Sequence, residues 1–409
     1  MKRVVITGMG AVSPLGIGLE ALMEGLEQNR SGISRLEELE GIGGLQPRLG
    51  GRVLGCEGLD IERKFRRFMS PLSIFAVVAA REALAQARID QTRLRSNRTG
   101  ICLGSTLGSA NTLQAFFTQF LKDMSIEGIR STEFFKIMSH TCAANLAQYF
   151  GISGRVLAPS AACCTGCQAV GLAAEFIAHG KQDIMLCGGA DELHPLTVAT
   201  FDILQAASTN QNDTPDQTPR PFDATRDGIV CAEGAGVLVL ESLDSALERG
   251  ATIFGEILGF ASTSDPSNPA SPSPEAITEC MHEALRDAGL SPKDVEYINA
   301  HATGTIVGDA AECLAIEVVF GSAPLVSSLK GHMGHTMAAS GALEIAATLE
   351  MMRKGLIIPT RNLQDITPEC QIQLPLTIIR RNVNISMKNN FGLGGINTSI
   401  ILRGNNDGY

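Results

Sequence analysis

Residues 159–190 read P-S-A-A-C-C-T-G-C-Q-A-V-G-L-A-A-E-F-I-A-H-G-K-Q-D-I-M-L-C-G-G-A. After the cysteines come Ala, Val, Gly, Leu and Ile with almost no charge, and the run stops at His179-Gly180, with glycine in the usual terminating position. A helix apolar on every side must be buried. The stretch therefore predicts a central helix entered through Cys163 and followed by a strand at 184–187. Unpaired N–H groups and the positive end of the helix dipole in the first turn favour a thiolate over a thiol there. Three readings stay open on these residues alone: a nucleophile, a small hydrophobe filling an Ala-rich interior, and a metal or redox ligand.

Working outward, the same alternation recurs. Residues 2–7 form a short apolar strand, and Gly8-Met9-Gly10 predicts a tight turn closing it; the third glycine of a dinucleotide fingerprint is replaced by Ser13. Ser70-Pro71 opens a helix to about Ala87, Thr99–Gly104 is a buried strand, and helices follow at 113–121 and 138–150, on either side of a polar stretch near Ser131. Irregular loops occupy 208–223 and 262–274. A second series then runs through strands at 295–300 and 325–327, helices at 309–320 and 338–353, and strands at 377–380, 385–388 and 398–402, with a glycine loop at 389–397. Alternation of this kind predicts layered α/β architecture. The two series, of similar composition, divide the chain into halves at 1–250 and 251–409.

Size and composition narrow the function. The 409 residues are 44% hydrophobic and 5% aromatic with 43 glycines, as expected of a large globular α/β chain. A net charge of -10 makes the surface repel nucleic acid and anionic membrane. Local basic clusters do stand at Arg63, Lys64, Arg66 and Arg67, either as a solvated face or as a dock for an acidic partner. Eleven scattered cysteines do not resemble a secreted disulfide framework and point to a reducing cytoplasm. The apolar run after Lys2-Arg3 is too short for a signal peptide, and no segment is long enough to span a membrane.

Two histidines end buried strands beside glycine, His301 in N-A-H-A-T-G-T and His335 in K-G-H-M-G-H-T, where ligands bind in α/β sheets. Cys164-x-x-Cys167 with His332-x-x-His335 imitates a four-ligand zinc site, but Cys167 lies within the apolar helix and the histidine spacing is one residue short. A redox disulfide at Cys164-x-x-Cys167 lacks an aromatic flank. A cysteine nucleophile with two imidazole donors is the set that carbon-carbon bond formation from thioesters requires: the thiol accepts an acyl group, and two N–H donors hold the enolate left by decarboxylation.

These motifs, with V-V-I-T-G-M-G at the start and N-F-G-L-G-G-I-N near the end, resemble the elongating β-ketoacyl-acyl-carrier-protein synthases of the thiolase superfamily over nearly the whole chain. The resemblance implies an α/β thiolase fold, a duplicated α-β-α-β-α five-layer architecture. It implies a decarboxylative Claisen condensation of an acyl group on Cys163 with malonyl-carrier in fatty acid biosynthesis, with a dedicated polyene or polyketide ketosynthase as the alternative. His301 and His335 would bind the malonyl thioester carbonyl, Lys330 would support them, and Glu312 would pair with Lys330. The oxyanion hole would be the N–H groups of Cys163 and Leu393. Thr303 and Thr305 would hold the phosphopantetheine arm, which arrives on the carrier protein, so no cofactor or metal of the chain's own is expected. Leu107 and Phe201 would line the acyl pocket, Phe391 would bind substrate, and Lys64, Arg66 and Arg67 would dock acyl carrier protein. A homodimer, or a heterodimer with a homologous chain-length subunit, is implied. Leu393 stands where the family usually has phenylalanine, which implies a smaller gate over the acyl pocket. A non-catalytic partner subunit is disfavoured by the presence of Cys163, and a degradative thiolase by the absence of a cysteine in the loop at 392–395.

Overall fold

The computed structural model describes residues 1–56 and 60–405. Its centre is an 11-stranded sheet system in which one strand order occurs twice. We number the elements that build the layers. In the first half β1 is Val4–Ser13, β2 Thr99–Gly104, β3 Val156–Leu157, β4 Ile184–Asp191 and β5 Gly234–Ser242. In the second half β6 is Gly255–Ser264, β7 Tyr297–Asn299, β8 Leu325–Ser327, β9 Ile385–Gly392 and β10 Ile396–Gly404. The helices are α1 (Pro71–Ala87), α2 (Thr141–Phe150), α3 (Thr165–Ala178), α4 (Pro274–Ala288), α5 (Ile306–Phe320) and α6 (Ser340–Lys354).

The first half runs β1-β5-β4-β2-β3 and the second β6-β10-β9-β7-β8. Each half has two antiparallel pairings followed by two parallel ones, and the halves join where β1 meets β6 antiparallel through Val4, Val5 and Ile6. Parallel strands need crossover helices, and these cover the faces. Helices α1 and α2 pack outside the first half and α4 and α5 outside the second, while α3 and α6 lie between, touching strands of both. This is the duplicated five-layer thiolase fold. Residues 340–352 of α6 are all buried, as a helix sandwiched on two faces must be.

Several expectations need correction. Gly8 and Gly10 form no turn; β1 runs through them to Ser13. A Cβ on Gly8 would lie 2.0 Å from the Ala83 carbonyl oxygen, and one on Gly10 1.9 Å from that of Ala79, so the glycines let α1 press onto the strand. The expected loop at 389–397 is mostly strand, because β9 and β10 pair from Ile385 to Arg403 and leave only the turn at 393–395. Gly394 and Gly395 there have φ of 90° and 75°, conformations that favour glycine. The stretch near Ser131 is a helix, Ser131–Ile137. The strand expected at 377–380 shortens to Ile379–Arg380, which pairs with Leu356–Ile357 outside the main system. All eleven cysteines are buried, and the Cys313 and Cys370 sulfurs lie against each other with Cα atoms 5.5 Å apart.

The close approach of α1 to β1 makes a direct prediction. Gly8→Ala should cost about 2–3 kcal/mol, the scale of overpacking a dense core, read as a lowered thermal midpoint. An unchanged midpoint would show that the contact is loose.

Candidate active site

The chain enters α3 through the 3-10 turn Ala162–Cys164, and Ala162 takes φ 47°, a left-handed conformation uncommon for a residue with a side chain. This places Cys163 and Cys164 on opposite sides. Cys164 Sγ turns into the protein against the carbonyl oxygens of Asn390 and Ile396, at 3.1 and 3.0 Å. Cys163 instead lines a cavity of about 350 Å³, with His301, His335, Thr303, Thr305, Phe201, Phe391 and Leu393 among its walls.

Cys163, His301 and His335 meet there from three elements, their ligand atoms all within 4.8 Å of one another. The two imidazoles stand edge to face, 5.3 Å between centroids, and Phe391 packs on His301 at 5.9 Å. Asn390 Nδ2 lies 3.4 Å from His301 Nδ1. Both ring nitrogens of His335 are buried without a partner. An orphaned buried polar group is costly unless a ligand completes it.

Burial dominates the electrostatics. It lowers His301 and His335 well below their ordinary values, and the nearby Lys330 and Lys388 charges lower them further, so both rings are neutral. Burial also pushes the Cys163 thiol up to about 11, against Lys330 and the N–H groups of Leu393 and of Cys163 itself, which pull it down. The expected resting thiolate is therefore not what the site holds. Desolvation outweighs the helix entrance, and the group is a thiol.

The supports differ from expectation as well. Lys330 pairs with Glu344, Nζ to Oε1 at 2.6 Å, and not with Glu312. Glu312 instead accepts the backbone N–H groups of His301 and Ala302 at 2.9 and 2.7 Å, because its position on α5 faces the end of β7. It holds the loop that presents His301. Asp309 does the same for Thr303 and Gly304, at 3.0 and 3.1 Å. Glu344, Lys388 and Asn390 were missed in the sequence; for Glu344 and Lys388 the available signal was a charged residue among the apolar neighbours of α6 and β9.

The remaining expected residues divide. Thr303 and Thr305 line the cavity with hydroxyls 3.2 Å apart. Leu107 does not line it: it is 48% exposed, on a turn between β2 and the helix Ala110–Asp123. Lys64 and Arg66 lie on the short helix Arg63–Arg66, with Arg67 just after it. There Lys64 pairs with Glu62 at 2.7 Å, and the Arg67 guanidinium covers Phe68. The zinc arrangement of Cys164, Cys167, His332 and His335 is not assembled; among the described residues the one cluster of possible ligands is Cys163, His301 and His335.

Comparison with known proteins places this site in a family. The chain matches the Beta-ketoacyl synthase N-terminal domain over residues 1–246 and the C-terminal domain over 254–364. It is 36% identical to 3-oxoacyl-[acyl-carrier-protein] synthase 1 of Escherichia coli over 98% of this chain and 99% of that protein. A crystal structure of a β-ketoacyl synthase from Burkholderia phymatum superposes with a TM-score of 0.95 at 41% identity, covering 99% of this chain and 100% of the other. A type II polyketide ketosynthase, solved in complex with its acyl-carrier protein and bound to a hexaketide, gives 0.90 at 30% identity, covering 98% and 99%. The chain belongs to the β-ketoacyl synthase family, acyltransferases of the thiolase fold.

Proposed function

We propose that the chain is a β-ketoacyl-acyl-carrier-protein synthase of fatty acid elongation, acting in the cytoplasm without a metal or cofactor of its own. The observation that carries this reading is the meeting of a thiol and two neutral imidazoles on one cavity wall, with the His335 nitrogens unpartnered.

In the first half-reaction Cys163 Sγ attacks the acyl thioester. The thiol gives up its proton, the carrier thiol gains one, and the acyl group passes to Cys163. The tetrahedral oxyanion forms where the N–H groups of Cys163 and Leu393 point. In the second, the malonyl thioester carbonyl accepts N–H bonds from His301 and His335. Its carboxylate leaves as carbon dioxide, the bonding pair becomes an enolate, and the enolate carbon attacks the acyl-cysteine carbonyl, expelling Sγ as a thiolate that takes a proton from solvent to regenerate the thiol. The negative charge that leaves the carboxylate reappears on the thioester oxygen, where the two imidazole N–H groups bond to it. Thr303 and Thr305 offer hydroxyls to the amides of the pantetheine arm.

A specialised polyene or polyketide ketosynthase is the second reading, favoured by the structural likeness to a polyketide ketosynthase and by the smaller Leu393 at the cavity wall. The partner surfaces are proposals of the same kind. The basic group Lys64, Arg66 and Arg67 is the docking site for acidic acyl carrier protein. A second copy, or a homologous subunit, covers Phe117, Leu121, Phe134 and Phe135, all 45–61% exposed, and the open edge of β3.

Three measurements test these statements. Intact mass after incubation with a panel of saturated and polyunsaturated acyl carriers should show one acyl adduct, lost in Cys163→Ala. The preferred donor separates the two pathways, and no adduct from any donor would refute the ketosynthase reading. Alanine at Lys64, Arg66 and Arg67 together should weaken carrier binding about tenfold at low salt and less at high salt; equal affinity would refute the dock. Sedimentation equilibrium should give a dimer at micromolar concentration, and a monomer of 43.3 kDa would refute self-association.

A further inference from the structure

The layer between the two halves holds three formal charges with no exposed surface. Lys330 Nζ lies 2.6 Å from Glu344 Oε1, and Lys388 Nζ lies 2.7 Å from Glu344 Oε2, all three side chains being 0% exposed. One carboxylate thus faces two ammonium groups. Lys330 and Glu344 balance each other, so Lys388 leaves the group with a surplus positive charge. A buried charge persists only where partners repay its lost hydration.

The alternation of β9 builds Lys388 in. Ser386, Lys388 and Asn390 face α6, where they meet Met352, Glu344 and Ser340. Asn389 points the other way, to Met281 on α4 and Glu312 on α5. Lys388 Nζ also donates to the carbonyls of Asn299 and Ala300, at 3.4 and 3.3 Å, the two residues before His301. One ammonium group is therefore tied both to the backbone that carries a histidine and to the carboxylate that would otherwise cancel Lys330.

We propose that Lys388 is a positioning residue of the condensation site: its ammonium group fixes the backbone that presents His301 and keeps the Lys330–Glu344–Lys388 group net positive, which favours negative charge on the substrate between the two rings. The inference rests on the ketosynthase reading. The groups that reach the rings are Lys330 after β8 and Lys388 on β9, with His335 acting on His301 and Cys163 before α3 within 4.8 Å of both; behind them stand Glu344 on α6, paired with both lysines, Glu312 on α5, which accepts the His301 N–H, and Asp191 at the end of β4, which acts on Cys163. After burial, Lys330 and Lys388 are the charges that lower both rings. A neutral imidazole is lost as pH falls through its pKa, so removing a nearby cation moves the acid limb of activity to higher pH.

Lys388→Gln removes the charge while keeping an N–H donor for the Ala300 and Asn299 carbonyls, and Lys388→Arg keeps the charge. Decarboxylation of malonyl-carrier by the full-length protein is followed against pH, with histidine ring resonances titrated by NMR in the same samples. The glutamine variant should move the acid limb and both ring titrations up by about one pH unit, and lower kcat roughly tenfold with KM within about threefold. The arginine variant should leave the limb in place. If the glutamine variant does not fold, Lys388→Met is carried through the same titrations. Ring titrations unmoved by loss of the charge, or moved equally by glutamine and arginine, overturn the proposal. A wild-type protein that neither acylates Cys163 nor decarboxylates malonyl-carrier overturns the ketosynthase reading instead, and the ring titrations still decide the charge effect separately.

Discussion

The site depends on how closely α3 and α6 can cross. A Cβ on Gly166 would lie 2.4 Å from the Ala338 carbonyl oxygen, and one on Gly341 would lie 2.4 Å from the Cys167 nitrogen. Backbone meets backbone at this crossing, and the sheet beneath is cut back in the same way, for a Cβ on Gly189 would lie 2.0 Å from the Ala338 oxygen. Only glycine permits such contact. Because the crossing falls in the first turn of both helices, their entrances come together, and with them Cys163 and the segment that carries His335. A wider residue at Gly166 or Gly341 would separate the nucleophile from its donors before it touched either.

The same burial that close packing imposes sets the chemistry. In a dry interior a thiol is hard to ionise and an imidazole hard to protonate, and both tendencies are seen at Cys163, His301 and His335. Two uncharged donors beside a weakly acidic thiol suit a reaction whose carbanion comes from loss of carbon dioxide and needs no strong base. The charges that the region does contain, at Lys330, Glu344 and Lys388, stand one layer back, paired and out of contact with solvent.

Much of this was legible in the sequence where chemistry and position coincide. Cys163 at a helix entrance and His301 just past a short apolar strand are local patterns, and local patterns survive folding; His335 instead lies eight residues past β8, beyond the helix Lys330–Met333. Gly8 and Gly10 misled because a glycine inside a strand and a glycine in a turn look alike until the helix pressing on the strand is known. The 389–397 segment misled for a related reason: its glycines mark one tight turn, while Asn389 and Asn390 find their partners across the core and stay in the ladder. Glu312 was found but given the wrong partner, since nothing in the spacing of G-D-A-A-E tells whether a carboxylate meets an ammonium group or a pair of backbone N–H groups. Glu344 and Lys388 lie 44 residues apart on different elements, and their meeting is a property of the layering alone.

The duplication explains the backbone strain beside the nucleophile. Cys163 lies between β3 and α3, and the His335 segment lies between β8 and α6, which is the same place in the second half. Each central helix is entered through a three-residue 3-10 turn, Ala162–Cys164 and Met337–Ala339, and each turn begins with a left-handed residue, φ 47° at Ala162 and 50° at Met337. Cys163 in one half therefore corresponds to Ala338 in the other. Strain of this kind at a nucleophile is commonly read as a catalytic device. Here it recurs where there is no nucleophile, so it belongs to the fold as the conformation that admits a helix into the narrow space between the halves. Catalysis occupies one of two equivalent turns: the first half places a thiol there, and the second places an alanine that lets the helices touch.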